Sequence, residues 1–222
     1  MTQWSGQRRL PRFPIVLPVL HQAKERSSTP GVGWTRNLGE TGACLELAEW
    51  IGPGTTLALR LRTDTGEVEI EGAVVWAGER GRGETGILHG VSFTQIAADH
   101  HTTLRELLRL KGHLRQVGVR LPAELTVLCR PLARDTGPIQ GRTGDISRSG
   151  LLLRLPAPLP SGTTLEVTVQ TSHGALTARG TVFWTDPPGQ HIPGEPIRHG
   201  FHFTTIGWAS ELTLAMLLAG QP

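Results

Sequence analysis

Asp145, Ser147 and Gly150 occupy the first, third and sixth places of the stretch Asp145-Ile146-Ser147-Arg148-Ser149-Gly150. A carboxylate, a hydroxyl and a glycine at that spacing form a tight polar corner. Asp and Ser side chains bond nearby backbone, and Gly admits conformations and approaches that a side chain forbids. The apolar run Leu151 to Leu155 follows, so the corner leads into a strand. Its oxygens can also face outward as acceptors for a ligand. The second group with chemistry is arginine: Arg8, Arg9 and Arg12 near the start, and Arg115 and Arg120 at mid-chain. A guanidinium fork grips phosphate bidentately and stacks on a base face. Such an arm ahead of a polar corner suits an anionic ligand.

The elements that position these groups occur twice. Thr35-Arg36-Asn37-Leu38-Gly39-Glu40-Thr41-Gly42 matches Thr143 to Gly150, with Asn37 and Asp145 108 residues apart. Arg12-Phe13-Pro14 with Arg120-Leu121-Pro122, Gly54-Thr55-Thr56-Leu57 with Gly162 to Leu165, and Gly72 to Trp76 with Gly180 to Trp184 share that register. His89-Gly90 and His199-Gly200 follow after a two-residue insertion. A period this long is a domain duplication, here residues 1–112 and 113–222. Leu57, Leu59 and Leu61 alternate with Ala58, Arg60 and Arg62, and Val68, Ile70, Val74 and Trp76 with Glu67, Glu69, Glu71, Ala73 and Val75, and these runs predict strands with one packed face. Leu104, Leu107, Leu108 and Leu110 have helical spacing, as do Leu212, Leu214, Ala215, Leu217 and Leu218. Each copy therefore reads as about six short strands and a closing helix. Antiparallel strands that must hide their edges point to a small closed barrel.

Composition agrees. Of 222 residues 38% are hydrophobic and 18% charged, enough for two cores, and 28 Gly with 16 Pro indicate many turns. The net charge of +3 fits an anionic ligand but lacks the basic stripe of a dedicated nucleic-acid binder. Two cysteines give no disulfide framework, and no apolar run approaches membrane-spanning length. The expectation is a cytoplasmic protein without membrane insertion.

An arginine arm, a D/NxSxxG corner, a strand ending in Trp and a closing helix, in that order and twice over, resemble the PilZ domain. The resemblance covers nearly the whole chain. It implies a mainly β protein of two tandem six-stranded antiparallel barrels, and binding of the second messenger cyclic di-GMP through an RxxxR arm and the corner. Guanine presents an O6/N7 acceptor edge to arginine, and N1–H and N2–H donors to an ionised Asp. The implied activity is that of a receptor that changes interdomain arrangement or the binding of a downstream protein. No cofactor is implied.

Neither copy is complete. The first has Arg8, Arg12, Asn37 and Gly42, with Gly39 at the Ser position. The second has Asp145, Ser147, Gly150 and Arg120, but Gln116 aligns with Arg8 and Arg115 stands one residue off register. A lost arginine contact outweighs a lost hydroxyl, about 1.5–3 against 0.5–1.5 kcal/mol, which favours the first copy. A composite site, with Arg115 serving the second corner, is the other arrangement. The same departures support an alternative: a nucleotide-independent interaction module in motility or exopolysaccharide regulation. A single-stranded nucleic-acid binder is a weaker third reading, because the strand aromatics alternate inward.

Other residues carry less. His89 and His199 read as strand histidines rather than metal ligands, Cys44 aligns with Leu152, and Cys129 aligns with His21. Trp76 and Trp184 read as barrel core. Trp34 and Arg142 precede the corner at equivalent places, where either could reach a ligand. No Walker A loop, dinucleotide fingerprint, HExxH or GxSxG occurs, and an enzyme is not expected.

Overall fold

A computed structural model describes residues 11–24, 29–64, 66–79, 86–111, 119–133, 137–190, 192 and 194–220. The chain divides into two compact units, 1–118 and 119–222. The first holds β1 (Arg12–Phe13), β2 (Pro18–Ala23), β3 (Gly31–Gly39), β4 (Gly42–Leu47), β5 (Thr56–Arg62), β6 (Glu67–Ala77), β7 (Ile87–Ile96) and α1 (Ala98–Lys111). The second holds β8 (Arg120–Pro122), β9 (Thr126–Pro131), β10 (Ile139–Ser147), β11 (Gly150–Leu155), β12 (Thr164–Thr171), β13 (Gly174–Thr185), β14 (Ile197–Ile206) and α2 (Trp208–Ala219).

In the first unit β3-β2-β5-β6-β7-β4 run in order and β4 pairs back onto β3, closing a six-stranded antiparallel barrel. In the second, β10-β9-β12-β13-β14-β11 close in the same way. Closure removes the free edges of a small sheet. Inward positions of the alternating runs fill each interior: Leu57, Leu61, Val68 and Val74 in one, Leu165, Val169, Leu176 and Val182 in the other. Outward positions carry cross-strand ion pairs such as Arg62–Glu67 at 3.1 Å and Arg179–Glu166 at 3.1 Å. The repeated Gly54 and Gly162 have φ of +90° and +87°, which explains why glycine recurs before β5 and β12.

The helices close the units, α1 against β6 and α2 against β13. Leu104, Leu107 and Leu108 are buried as the spacing predicts, but Leu110 is 57% exposed and belongs to the wet face. The arginine arm is not simply a lead-in to the barrel. Its described part forms a seventh short strand in each unit, β1 on β3 and β8 on β10, pairing Arg12 with Gly39 and Arg120 with Ser147.

Candidate functional site

A buried threonine holds each arginine strand in place. Thr35 Oγ accepts from the Leu17 N–H at 2.8 Å and donates to the Ile15 carbonyl at 2.7 Å. Thr143 accepts from Leu125 N–H at 3.0 Å and donates to the Ala123 carbonyl. Both side chains are fully buried. The repeated Thr was visible in the sequence, but nothing there assigned it to pinning the segment between the arginine strand and the next one.

The two corners then differ. In the second unit Arg120 donates to Asp145 Oδ1 at 2.5 Å. Ser147 Oγ is buried and donates to the Gly150 carbonyl at 3.2 Å, so it closes the turn. Gly150 is required by proximity: a Cβ there would meet the Phe201 carbonyl oxygen at 2.0 Å. In the first unit Asn37 Oδ1 instead accepts the Cys44 N–H at 3.1 Å. A Cβ on Gly42 would meet the Arg12 guanidinium at 2.6 Å, so that side chain lies over the turn. Gly39 leaves room for Arg12 Cγ. Both corners follow a bulge, at Arg36 and at Gly144. Arg8, Arg9 and Arg115 lie outside the described residues.

A second bulge corrects the reading of the tryptophans. The β6–β7 register shifts between Val74 and Trp76, and the β13–β14 register between Val182 and Trp184. The shift turns the last residues of each strand outward, leaving Trp76 43% and Trp184 42% exposed rather than in the core. Alternation along the strand thus does not bury these two rings, and a base has access to them. Each indole lies against the following strand, where a Cβ on Gly90 or Gly200 would meet its Nε1 at 2.0 Å. Trp34, in contrast, is 1% exposed and belongs to the core. The preceding His residues are buried and hold loops: Ile51 N–H donates to His89 Nε2 at 3.0 Å, and Leu159 N–H to His199 Nε2 at 3.0 Å. Burial lowers the His89 pKa, against a raising contact with the Ile87 carbonyl.

On the second unit the corner opens onto a cavity of about 470 Å³ lined by Arg120, Asp145, Gly150, Trp184, Arg198 and Phe201, among others. That is within the usual range for small-molecule sites. Arg198 is held by Asp186 through two bonds of 2.9 and 3.2 Å. The cavity thus combines two guanidinium groups, a carboxylate acceptor and an indole face. It falls on the copy that the sequence weighing placed second. In the first unit a cavity of about 360 Å³ lies beside Glu40, Phe93 and His101, near the start of α1.

Fold and corner together define a tandem of small antiparallel barrels, each carrying a short arginine-bearing strand beside a polar turn. The chain belongs to the PilZ family: the PilZ domain model matches residues 6–110 and again 115–220. Among solved structures it is similar to the inhibitor of motility MotI/DgrA of Bacillus subtilis, at 11% identity over 91% of this chain and 94% of that one, with a TM-score of 0.39. It is similar also to YcgR of Escherichia coli in complex with c-di-GMP, at 13% identity over 91% and 82%, with a TM-score of 0.39. The K. pneumonia MrkH–c-di-GMP complex matches at 15% identity over 91% and 86%, with a TM-score of 0.38. No curated protein matches the chain. Among the described residues no helix is long and apolar enough to cross a membrane.

Proposed function

We propose that this protein is a receptor for cyclic di-GMP and that its second barrel carries the site. The observation behind this reading is the Arg120–Asp145 pair facing Trp184 in one cavity. Unliganded, the two charges satisfy each other. A ligand that presents a phosphate beside a guanine donor edge offers each a replacement at once: phosphate for Arg120, and N1–H with N2–H for Asp145. Trp184 supplies a stacking face, a contact worth about 1–3 kcal/mol per base. Gly150 keeps the cavity floor free of a side chain. The first barrel takes a structural part, since Asn37 is engaged with the backbone and Arg12 covers its own turn. Ligand binding then acts through interdomain arrangement or partner binding rather than through catalysis.

Isothermal titration of the intact chain with cyclic di-GMP at physiological salt tests this. Saturable binding that Asp145→Ala abolishes and Arg12→Ala leaves intact is the expected result. Absence of heat at roughly tens of micromolar ligand removes the reading. Loss through Arg12→Ala alone moves the site to the first barrel.

A further inference from the structure

Three arginines stand side by side on the outer face of the second barrel. Arg142 of β10 is the direct cross-strand partner of Arg154 of β11, and Arg154 of Arg198 of β14. Strands lie about 4.8 Å apart, so the three side chains start from a row about 10 Å long. Like charges set directly opposite one another destabilise a sheet. The fold does not demand them: at the same register the first barrel places Trp34, Glu46 and Leu88, and Glu46 meets Arg36 at 2.6 Å. A row of three arginines that its duplicate lacks points to a binding task.

The chain itself shows what the row takes. Arg154 holds the Glu124 carboxylate at 2.7 Å, and Arg198 holds Asp186. The Arg142 side chain is exposed and has no hydrogen-bond or ion-pair partner among the described residues. It lines a cavity of about 570 Å³ together with Arg154, Arg198, Glu195, Ile192 and Ile197. Ile192 is exposed and gives that wall an apolar patch. Two of the three guanidinium groups are thus already occupied by carboxylates, and the third, beside apolar surface, has no such partner among the described residues.

We propose that this face docks an acidic segment of a partner protein, which sets one carboxylate on Arg142 and an apolar side chain against Ile192 and Ile197. Asp186 and Glu195 in the same wall select against a polyanion, whose neighbouring charges would meet them. Arg198 lines both cavities, but the proposal does not depend on dinucleotide binding at the turn.

Fluorescence anisotropy on the intact chain tests it, with a short labelled peptide carrying a single Asp between Leu residues and the same peptide with Asn for Asp as control. The acidic peptide binds, Arg142→Glu weakens binding about tenfold or more, and Asp145→Ala leaves it unchanged. Equal binding of the two peptides, or an Arg142→Glu protein that binds as the parent does, overturns the proposal. An unlabelled single-stranded oligonucleotide that binds more tightly, with the same dependence on Arg142, assigns the face to nucleic acid and overturns it too.

Discussion

The two barrels share their strand order, their threonine pins, their buried His and the Trp laid over Gly, yet their corners do different things. Asn37 spans its bulge to a backbone N–H, whereas Asp145 at the equivalent place meets a side chain. Arg12 lies over Gly42, whereas Arg120 leaves Gly150 facing a cavity. The features common to both are those whose partner is the main chain, such as Thr35 and Thr143 or His89 and His199. At the corner the partner itself changes, from the Cys44 N–H for Asn37 to the Arg120 side chain for Asp145. The duplicated fold keeps its threonine and histidine contacts to the main chain and varies the corner.

The largest effect is expected where the copies agree. Gly150→Ala sets a methyl against the Phe201 carbonyl and Gly42→Ala sets one against that of Val91, so each should destabilise its barrel by about 3 kcal/mol. Gly137→Ala, which meets nothing within 4 Å, stays within about 0.5 kcal/mol; denaturant melts that rank the three otherwise would contradict this account.

Next comes acid sensitivity, which should separate the copies. Burial, with a smaller contribution from His89, lowers the His21 pKa from 6.5 to about 4, while burial pushes Cys129, at the equivalent place, up to about 12. Folding therefore favours the neutral His21 ring. Its contribution is complete above about pH 6.5 and is lost as pH falls toward 4, about 3 kcal/mol in all. His21→Cys should flatten the loss of stability between pH 7 and 4.5, and an unchanged profile assigns that loss to other groups.

Ligand binding sharpens the contrast further. Asp145→Asn gives the second corner the first one's residue and should weaken cyclic di-GMP binding roughly ten- to hundredfold by titration. Trp184→Ala should weaken it by about 1–3 kcal/mol, while Trp76→Ala leaves affinity as it was. Equal losses from the two Trp variants would place ligand on both barrels. The smallest effect concerns the ion pairs that tie each turn to its helix, Glu40–Arg105 at 3.0 Å and Arg148–Glu211 at 3.1 Å. Arg148→Ala should lower stability by about 1 kcal/mol or less, and the double exchange Arg148→Glu with Glu211→Arg should restore it.

The barrels were legible in the sequence because period-two alternation and a fixed repeat offset report directly on a two-faced sheet. The corner was legible as residue types but not as contacts. Asp145 and Arg120 are 25 positions apart, and only the pairing of β8 with β10 brings them together. The tryptophans were misplaced because a one-residue bulge reverses the facing of everything after it, and no residue type in Val74 to Trp76 announces it. Trp34 and Arg142 share a register position with opposite exposure, so equivalence in the repeat did not carry over to equivalence of environment.

The turn–helix ion pairs have opposite polarity in the two units: acid on the turn and base on the helix in one, the reverse in the other. Homologous neighbours on one chain are prone to exchange segments while folding. Here a helix seated on the wrong barrel would bring Arg105 to the side of Arg148, or Glu211 to that of Glu40, one helical turn from the native contact, so mispairing forfeits both ion pairs and meets like charge. The double exchange that restores stability also erases this mark of self, and its refolding should yield more intertwined dimers on a sizing column than the parent chain.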